Sequence, residues 1–161
     1  MRKINNPWKN HKGYDCFGCS PDNPIGLHME FFEEDNEVRG YWSPQTHFQG
    51  WIDTLHGGIQ ATLIDEIASW VVFRRLQTTG VTTRLNVIYR KAVMTTEPQL
   101  TLRAHLVDHR HHIATIKVTL ENADGQLCTE AEVIYCTMKE EQAQSMGFTK
   151  CELEGDNLLP L

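Results

Sequence analysis

The stretch from Gly57 to about Leu76 constrains the architecture more than any other part of the chain. Ile59, Leu63, Ile67 and Trp70/Val71 recur at three- and four-residue spacing with no proline among them, which predicts a helix. Ala61, Ile64, Ala68, Val72 and Phe73 fill the other faces, so this helix is apolar nearly all round until Arg74-Arg75. Such a helix cannot lie on a surface; other structure must wrap it. Gly80 is expected to close the connection behind it.

The rest of the chain supplies the wrapping. Ahead of the helix, two strand-like runs, Leu27–Phe32 and Glu37–Trp42, flank the acidic turn Glu33-Glu-Asp-Asn36. Behind it, Val81–Val93 is long and β-rich. Three further runs alternate: Leu100, Leu102, Ala104 and Leu106; Ala114, Ile116, Val118 and Leu120; Leu127, Thr129, Ala131, Val133 and Tyr135. Period-two alternation means one buried and one solvated face, as in an antiparallel sheet. Asp124-Gly125, between the last two runs, is a strong hairpin signal. The order β-β-helix-β-β-β-β predicts an α+β fold, an antiparallel β-sheet wrapped around one long central helix. Residues 1–24 read as an irregular leader ending in the turn cluster Pro21-Asp-Asn-Pro24. The domain proper is 25–138, and 139–161 reads as a short C-terminal helix or tail.

Composition narrows the function classes. At 161 residues the chain has the length of one domain. Lys and Arg number 15 against 21 Asp and Glu, a net charge of −6, which argues against nucleic acid or an acidic membrane held by bulk charge. No apolar stretch follows the basic N-terminus, and the longest nearly apolar run, Ala68–Phe73, falls far short of the roughly 20 residues a bilayer needs. An odd count of 5 cysteines fits reduced thiols better than a disulfide framework. The expected compartment is the cytoplasm.

The chemistry concentrates at His56-Gly-Gly-Ile-Gln-Ala-Thr-Leu-Ile-Asp65-Glu66. Two glycines at a helix start let a ligand or another chain approach the backbone. The first turn carries N–H groups without intrahelical partners at the positive end of the helix dipole, a natural seat for an oxyanion or polarised carbonyl. Asp65 lies seven residues beyond Gly58 and, at about 100° per residue, returns to nearly the same face. It sits amid Leu63, Ile64 and Ile67, where an unpaired carboxylate is costly to bury. Seven residues rise roughly 10 Å, too far for Gly58 N–H and Asp65 to act on one carbonyl. If both serve one site they come from different subunits, which predicts a two-fold dimer. Spacing alone also allows a plain helix start with a structural hydrogen-bonding acid.

The run Gln49-Gly-Trp-Ile-Asp-Thr-Leu-His-Gly-Gly-Ile-Gln-Ala-Thr-Leu-Ile-Asp-Glu66 resembles the signature of hotdog-fold acyl-CoA thioesterases of the PaaI-like type, in the 4-hydroxybenzoyl-CoA thioesterase superfamily. Val81–Val93 resembles the segment that follows the helix there. Cys16-Phe-Gly-Cys19 through Asn23-Pro-Ile-Gly-Leu27 is similar to the N-terminal run of one subgroup. The resemblance implies a homodimer with one continuous sheet, doubled to a homotetramer, hydrolysing an acyl-CoA without cofactor. It implies that Asp65 activates water or attacks the thioester, and that Gly58 N–H polarises the carbonyl. His56 then orients the loop or substrate, and Thr82, from the other subunit's strand, assists. Gln49 stands next to Gly50, where some relatives carry Asn or Gln, and Ala92 stands where proline is common.

Other residues complete the expectation. Gly57 belongs to the substrate-binding backbone. Arg84, Arg90, Lys91 and Arg110 are candidates for the coenzyme A phosphates, which want charge-assisted donors. His109-Arg-His-His112 also reads as a solvated hairpin turn. Phe48 and Trp51 are candidates for an acyl channel. Cys16 and Cys19 form a C-x2-C with His11 and His28 near, but zinc normally takes four ligands, so a turn and no metal are expected. A hotdog dehydratase or hydratase and a non-catalytic acyl-CoA-binding module are the alternative functions. The first fits this His-Gly-Gly context less well, and the second usually carries a DNA-binding segment.

Overall fold

In a computed structural model describing residues 1–156, the helix forms where the apolar periodicity demands it. Helix α1 spans Gly57–Val71 and runs on into a π-helical turn, Val72–Leu76. The strands are β1 Arg2–Lys3, β2 Phe31–Glu34, β3 Glu37–Trp42, β4 Gly80–Tyr89, β5 Leu100–Arg110, β6 Ile113–Glu121 and β7 Leu127–Thr137; helix α2 is Glu140–Ser145. One sheet holds them in the order β1-β2-β3-β5-β6-β7-β4, with every pairing antiparallel. The chain leaves β3, runs through α1 against the sheet, and returns as β4 at the edge beyond β7. Helix α1 packs against β3, β4, β5, β6 and β7, the hotdog arrangement expected from the sequence.

The core sits between that helix and the inner face of the sheet. Leu63, Ile64, Ile67, Ala68, Val71 and Val72 are fully buried, and Ala114, Ile116, Val118 and Leu120 on alternate positions of β6 meet them. Trp70 stacks on Phe31 with ring centroids 4.5 Å apart, tying the helix to β2. Burying each large side chain contributes about 1.5–3 kcal/mol, so the wrapped helix is the centre of stability.

Several expected boundaries move, each for a local reason. The run Leu27–Phe32 is not one strand: His28 takes a positive φ of 53° and β2 starts only at Phe31. Leu27 and Met29 instead donate backbone N–H to Phe17 and Gly18 of the leader. The strand expected over Val81–Val93 stops at Tyr89, because the N–H groups of Arg90 and Lys91 both turn onto the Cys128 carbonyl. The connection behind the helix is made by Gln77, in the left-handed region at φ 51°, rather than by Gly80. Gly80 lies inside β4, where a Cβ would stand 2.5 Å from the Cys136 carbonyl oxygen. His109 and Arg110 belong to β5; only His111 and His112, at φ 50° and 63°, form the two-residue turn.

The two ends are less irregular than expected. Arg2–Lys3 pairs with β2, and Ile4 bridges to Leu153, so leader and tail close on each other. Phe148, Cys151 and Leu153 are buried, and Arg74 and Gln77 at the end of the π-helical turn both donate to the Cys151 carbonyl. Of the tail expected over 139–161, the last five positions, 157–161, lie outside the described residues. Among the described residues no helix is long and apolar enough to cross a membrane.

Candidate active site

Asp65 finds its partner across the helix–sheet interface. The Thr82 hydroxyl donates to Asp65 Oδ1 at 2.6 Å. A β-bulge makes this possible. Thr82 pairs with Tyr135 and Arg84 with Ile134, leaving Thr83 between them as the extra residue. Simple alternation would put Thr82 on the same face as Arg84 and Asn86, which are exposed. The extra residue resets the phase, so Thr82, Leu85 and Val87 all turn toward the helix. The expectation that Thr82 reaches the aspartate from another subunit is corrected: strand and helix of one chain bring the pair together, because β4 follows α1 after a short connection.

Tyr135, opposite Thr82 on β7, completes this end. Burial pushes its hydroxyl up to about 12, against hydrogen bonds with Thr82 and Ser69 that pull the other way, while the charge of Asp65 adds to the rise. The phenol therefore stays protonated as a donor beside the carboxylate. Tyr135 was not singled out as a site residue, although its inward phase on an alternating strand was a signal, since a buried tyrosine hydroxyl seeks a polar partner.

A second cluster forms at the start of α1. His56 caps the helix: its Nδ1 accepts the Gly58 N–H at 2.8 Å. The N–H groups of Ile59 and Gln60 go to the His56 carbonyl, whereas Gly57 N–H meets no acceptor among the described residues. Gly58 N–H, expected to face a substrate carbonyl, is thus held by the imidazole, and a carbonyl must displace that ring to use it. The Tyr89 hydroxyl donates to the Gly57 carbonyl at 2.7 Å, anchoring the far end of β4 to the helix start. Trp51, His56, Gly57, Gln60 and Tyr89 line a cleft there, and Trp51 is 84% exposed. Tyr89 too was missed, hidden in a strand expected to run on to Val93.

The remaining candidates disperse. Gln49 accepts the Asp53 N–H at 3.2 Å, in the loop ahead of the helix and without contact to Asp65. Phe48 packs on Trp42, ring centroids 5.5 Å apart, and is not part of the cleft lining. Arg84 is exposed in mid-strand; Arg90 pairs with Glu130 at 2.7 Å and Lys91 with Gln126 beyond the Tyr89 end of β4. Arg110 pairs with Asp108 at 3.0 Å and sits at the end of β5 that aligns with the start of β4. Within one chain the four cations therefore do not converge: Arg110 and the Arg90–Lys91 pair occupy opposite ends of the sheet.

Residues 53–129, which carry His56, Gly57, Gly58, Asp65, Thr82 and Tyr89 but neither Trp51 nor Tyr135, match the thioesterase superfamily. Among solved structures, a thioesterase superfamily protein is similar at 26% identity with a TM-score of 0.67, over 74% of this chain and 58% of that one. The chain thus spans less than two thirds of that relative. A hypothetical thioesterase from Streptococcus pneumoniae TIGR4, solved with coenzyme A, shares 23% identity at a TM-score of 0.63, over 68% of this chain and 85% of its own. Zebrafish thioesterase superfamily member 2 shares 22% at 0.62, over 71% and 88%. No curated protein sequence matches significantly. The buried helix with its His-Gly-Gly start and the order of the strands around it form a hotdog fold, and the segment that carries the helix is similar to the thioesterase superfamily over just under half of the chain.

Proposed function

We propose that this protein hydrolyses an acyl-CoA thioester to the free acid and CoA, as a PaaI-like thioesterase of the cytoplasm. The observation that carries the proposal is the Asp65 carboxylate held by Thr82 on a bulged, open-edged strand. Asp65 acts as general base toward water, or as nucleophile, at the thioester carbon. The Gly58 N–H, once the substrate oxygen displaces His56, and the Gly57 N–H beside it stabilise the developing oxyanion.

Both clusters act on one carbonyl only in a dimer. Strand β4 is the sheet edge, and Val81, Ile88 and Tyr89 on it are 52%, 44% and 51% exposed. Thr82 meets Asp65 and Tyr89 meets Gly57, so β4 runs antiparallel to α1. A second copy pairing its β4 with this one about a two-fold axis sets the helix start of each protomer opposite the Asp65 of the other. The open edge is then satisfied rather than left to aggregate. The same pairing brings Arg110 of one protomer to the sheet end that carries Arg90 and Lys91 of the other, with Arg84 between, a set of donors for the CoA phosphates. Trp51 covers the acyl group. Two such dimers form the homotetramer, and the chemistry uses no cofactor. Coenzyme A in the pneumococcal structure supports a CoA carrier.

A free-thiol assay over acyl-CoAs from aryl to long-chain tests the reading. CoA release from at least one class, saturable and dependent on Asp65, is expected; binding without release from any of them overturns it. Single turnover in oxygen-18 water identifies the attacking group, since label in the Asp65 carboxylate marks attack by that residue.

A further inference from the structure

Glu66, next to Asp65 on α1, faces away from β4 and into the leader, where the fold brings it against the C-x2-C turn. Cys16 Sγ lies 3.5 and 3.6 Å from the two Glu66 carboxylate oxygens and 3.2 Å from Cys19 Sγ. The donor atoms of Cys16, Cys19 and Glu66 all lie within 4.8 Å of one another. Around a tetrahedral zinc, with Zn–S near 2.3 Å and Zn–O near 2.0 Å, neighbouring donors stand roughly 3.5–3.8 Å apart. The three side chains already sit close to that spacing.

Charge and packing point the same way. No Lys, Arg or His among the described residues pairs with Glu66. Its neighbours are thiols and the Trp70 indole N–H, which donates to Oε1 at 3.1 Å. A half-buried carboxylate beside two thiols lacks a counter-cation. The turn is tightly built: a Cβ on Gly18 would stand 2.5 Å from the Glu66 carboxyl, so a larger residue there would push the carboxylate out of its present place. Leu27 and Met29 hold Phe17 and Gly18 by backbone hydrogen bonds, Cys19 N–H donates to Cys16 Sγ, and Tyr14 Oη lies 2.9 Å from Cys19 Sγ. Those contacts orient the sulfurs as outer partners of a metal site do. Ser20, directly after Cys19, is fully buried with its hydroxyl unpartnered.

We propose that Cys16, Cys19 and Glu66 bind one zinc ion, with water as fourth donor, as a structural staple between the leader and α1. Binding displaces the two thiol protons, and the resulting thiolates and carboxylate share the ion's charge. The ion takes no part in thioester chemistry; it fixes the helix that carries Asp65 from the side opposite β4.

The test uses the full chain, reduced and stripped with chelator, and reads metal rather than CoA release, so it stands apart from the hydrolase reading. Cobalt(II) is expected to bind once per chain with thiolate-to-cobalt absorption, to be displaced by zinc, and zinc is expected to raise the thermal midpoint. Glu66→Gln preserves shape and the Trp70 contact, yet should weaken zinc binding by at least about 10-fold, the lower end of what loss of even an outer partner costs. Cys16→Ser should abolish the cobalt band, and Cys136→Ser should leave it unchanged. Absence of the band in the parent protein, zinc affinity unaltered by Glu66→Gln, or a Cys16–Cys19 disulfide forming in place of metal uptake would each overturn the proposal.

Discussion

Asp65 and Glu66 are adjacent carboxylates on one helix, about 100° apart, and the fold puts them in opposite surroundings. Asp65 meets a strand hydroxyl and a buried tyrosine at the open edge of the sheet. Glu66 meets two thiols and an indole N–H under a leader that is itself tied to the tail. One side faces an unpaired sheet edge; the other is covered by the leader, which pairs with the tail. A carboxylate's role here follows from what lies across from it, not from its residue type or its place in the motif.

That contrast can be broken or sharpened by measurement. Asp65→Asn has the largest expected effect: CoA release falls about 10²–10⁴-fold, the range for losing a general base, while the thermal midpoint holds. A parallel loss of stability would place Asp65 with the structural side instead. Ile67→Ala strikes the fully buried face between the two sides and should lower unfolding stability by about 2–5 kcal/mol in a denaturant titration, loosening both. Thr82→Val removes the hydrogen bond to the carboxylate and should slow CoA release by about 10- to 100-fold, as loss of a bond to a charged group does. Thr82→Ser should restore most of it; failure to do so would show that packing, not the hydroxyl, matters.

His56→Ser separates cap from chemistry. Serine caps helices well, so stability should stay within about 0.5 kcal/mol, with a smaller loss of rate than Thr82→Val causes. The last expected effect is confined to alkaline solution and is absent at neutral pH. Burial pushes the Cys151 thiol from 9.0 up to about 12 and the Tyr135 phenol from 10.0 up to about 12. Between those values the unfolded chain has released protons that the folded one retains. Stability should therefore be full below about pH 9 and decline as pH rises toward 12, followed by circular dichroism. Cys151→Ala should flatten the tail-side part of that decline and leave the Tyr135 part.

How much of this was legible in the residues differs from element to element. The inward phase of Ala114, Ile116, Val118 and Leu120 could be read directly, because a half-buried strand advertises its buried face at period two. The bulge at Thr83 could not: it depends on pairing with Ile134 and Tyr135, some fifty residues further along. Without the bulge, Thr82 alternates with the exposed Arg84 and Asn86, so its reach to Asp65 within one chain cannot be read from β4 alone. Tyr89 was obscured in a similar way, since the strand ends only because the Cys128 carbonyl draws off the next two N–H groups. The C-x2-C was visible, but two cysteines are half a metal site, and nothing local says that a helix residue fifty positions away supplies the next donor.

The amino-acid order by itself therefore determined the wrapped helix, the alternating strands and the glycine-rich helix start with its aligned aspartate. Each of these is set by periodicities of 3.6 and 2 that act within a few residues. Tertiary structure decided which hydroxyl reaches Asp65, that His56 already holds the Gly58 N–H, and that Glu66 belongs to the leader. The physical reason is range: a helix turns its side chains by local geometry, but what each one meets is set by strand order, register and a single extra residue in β4, which arise only when distant segments pair.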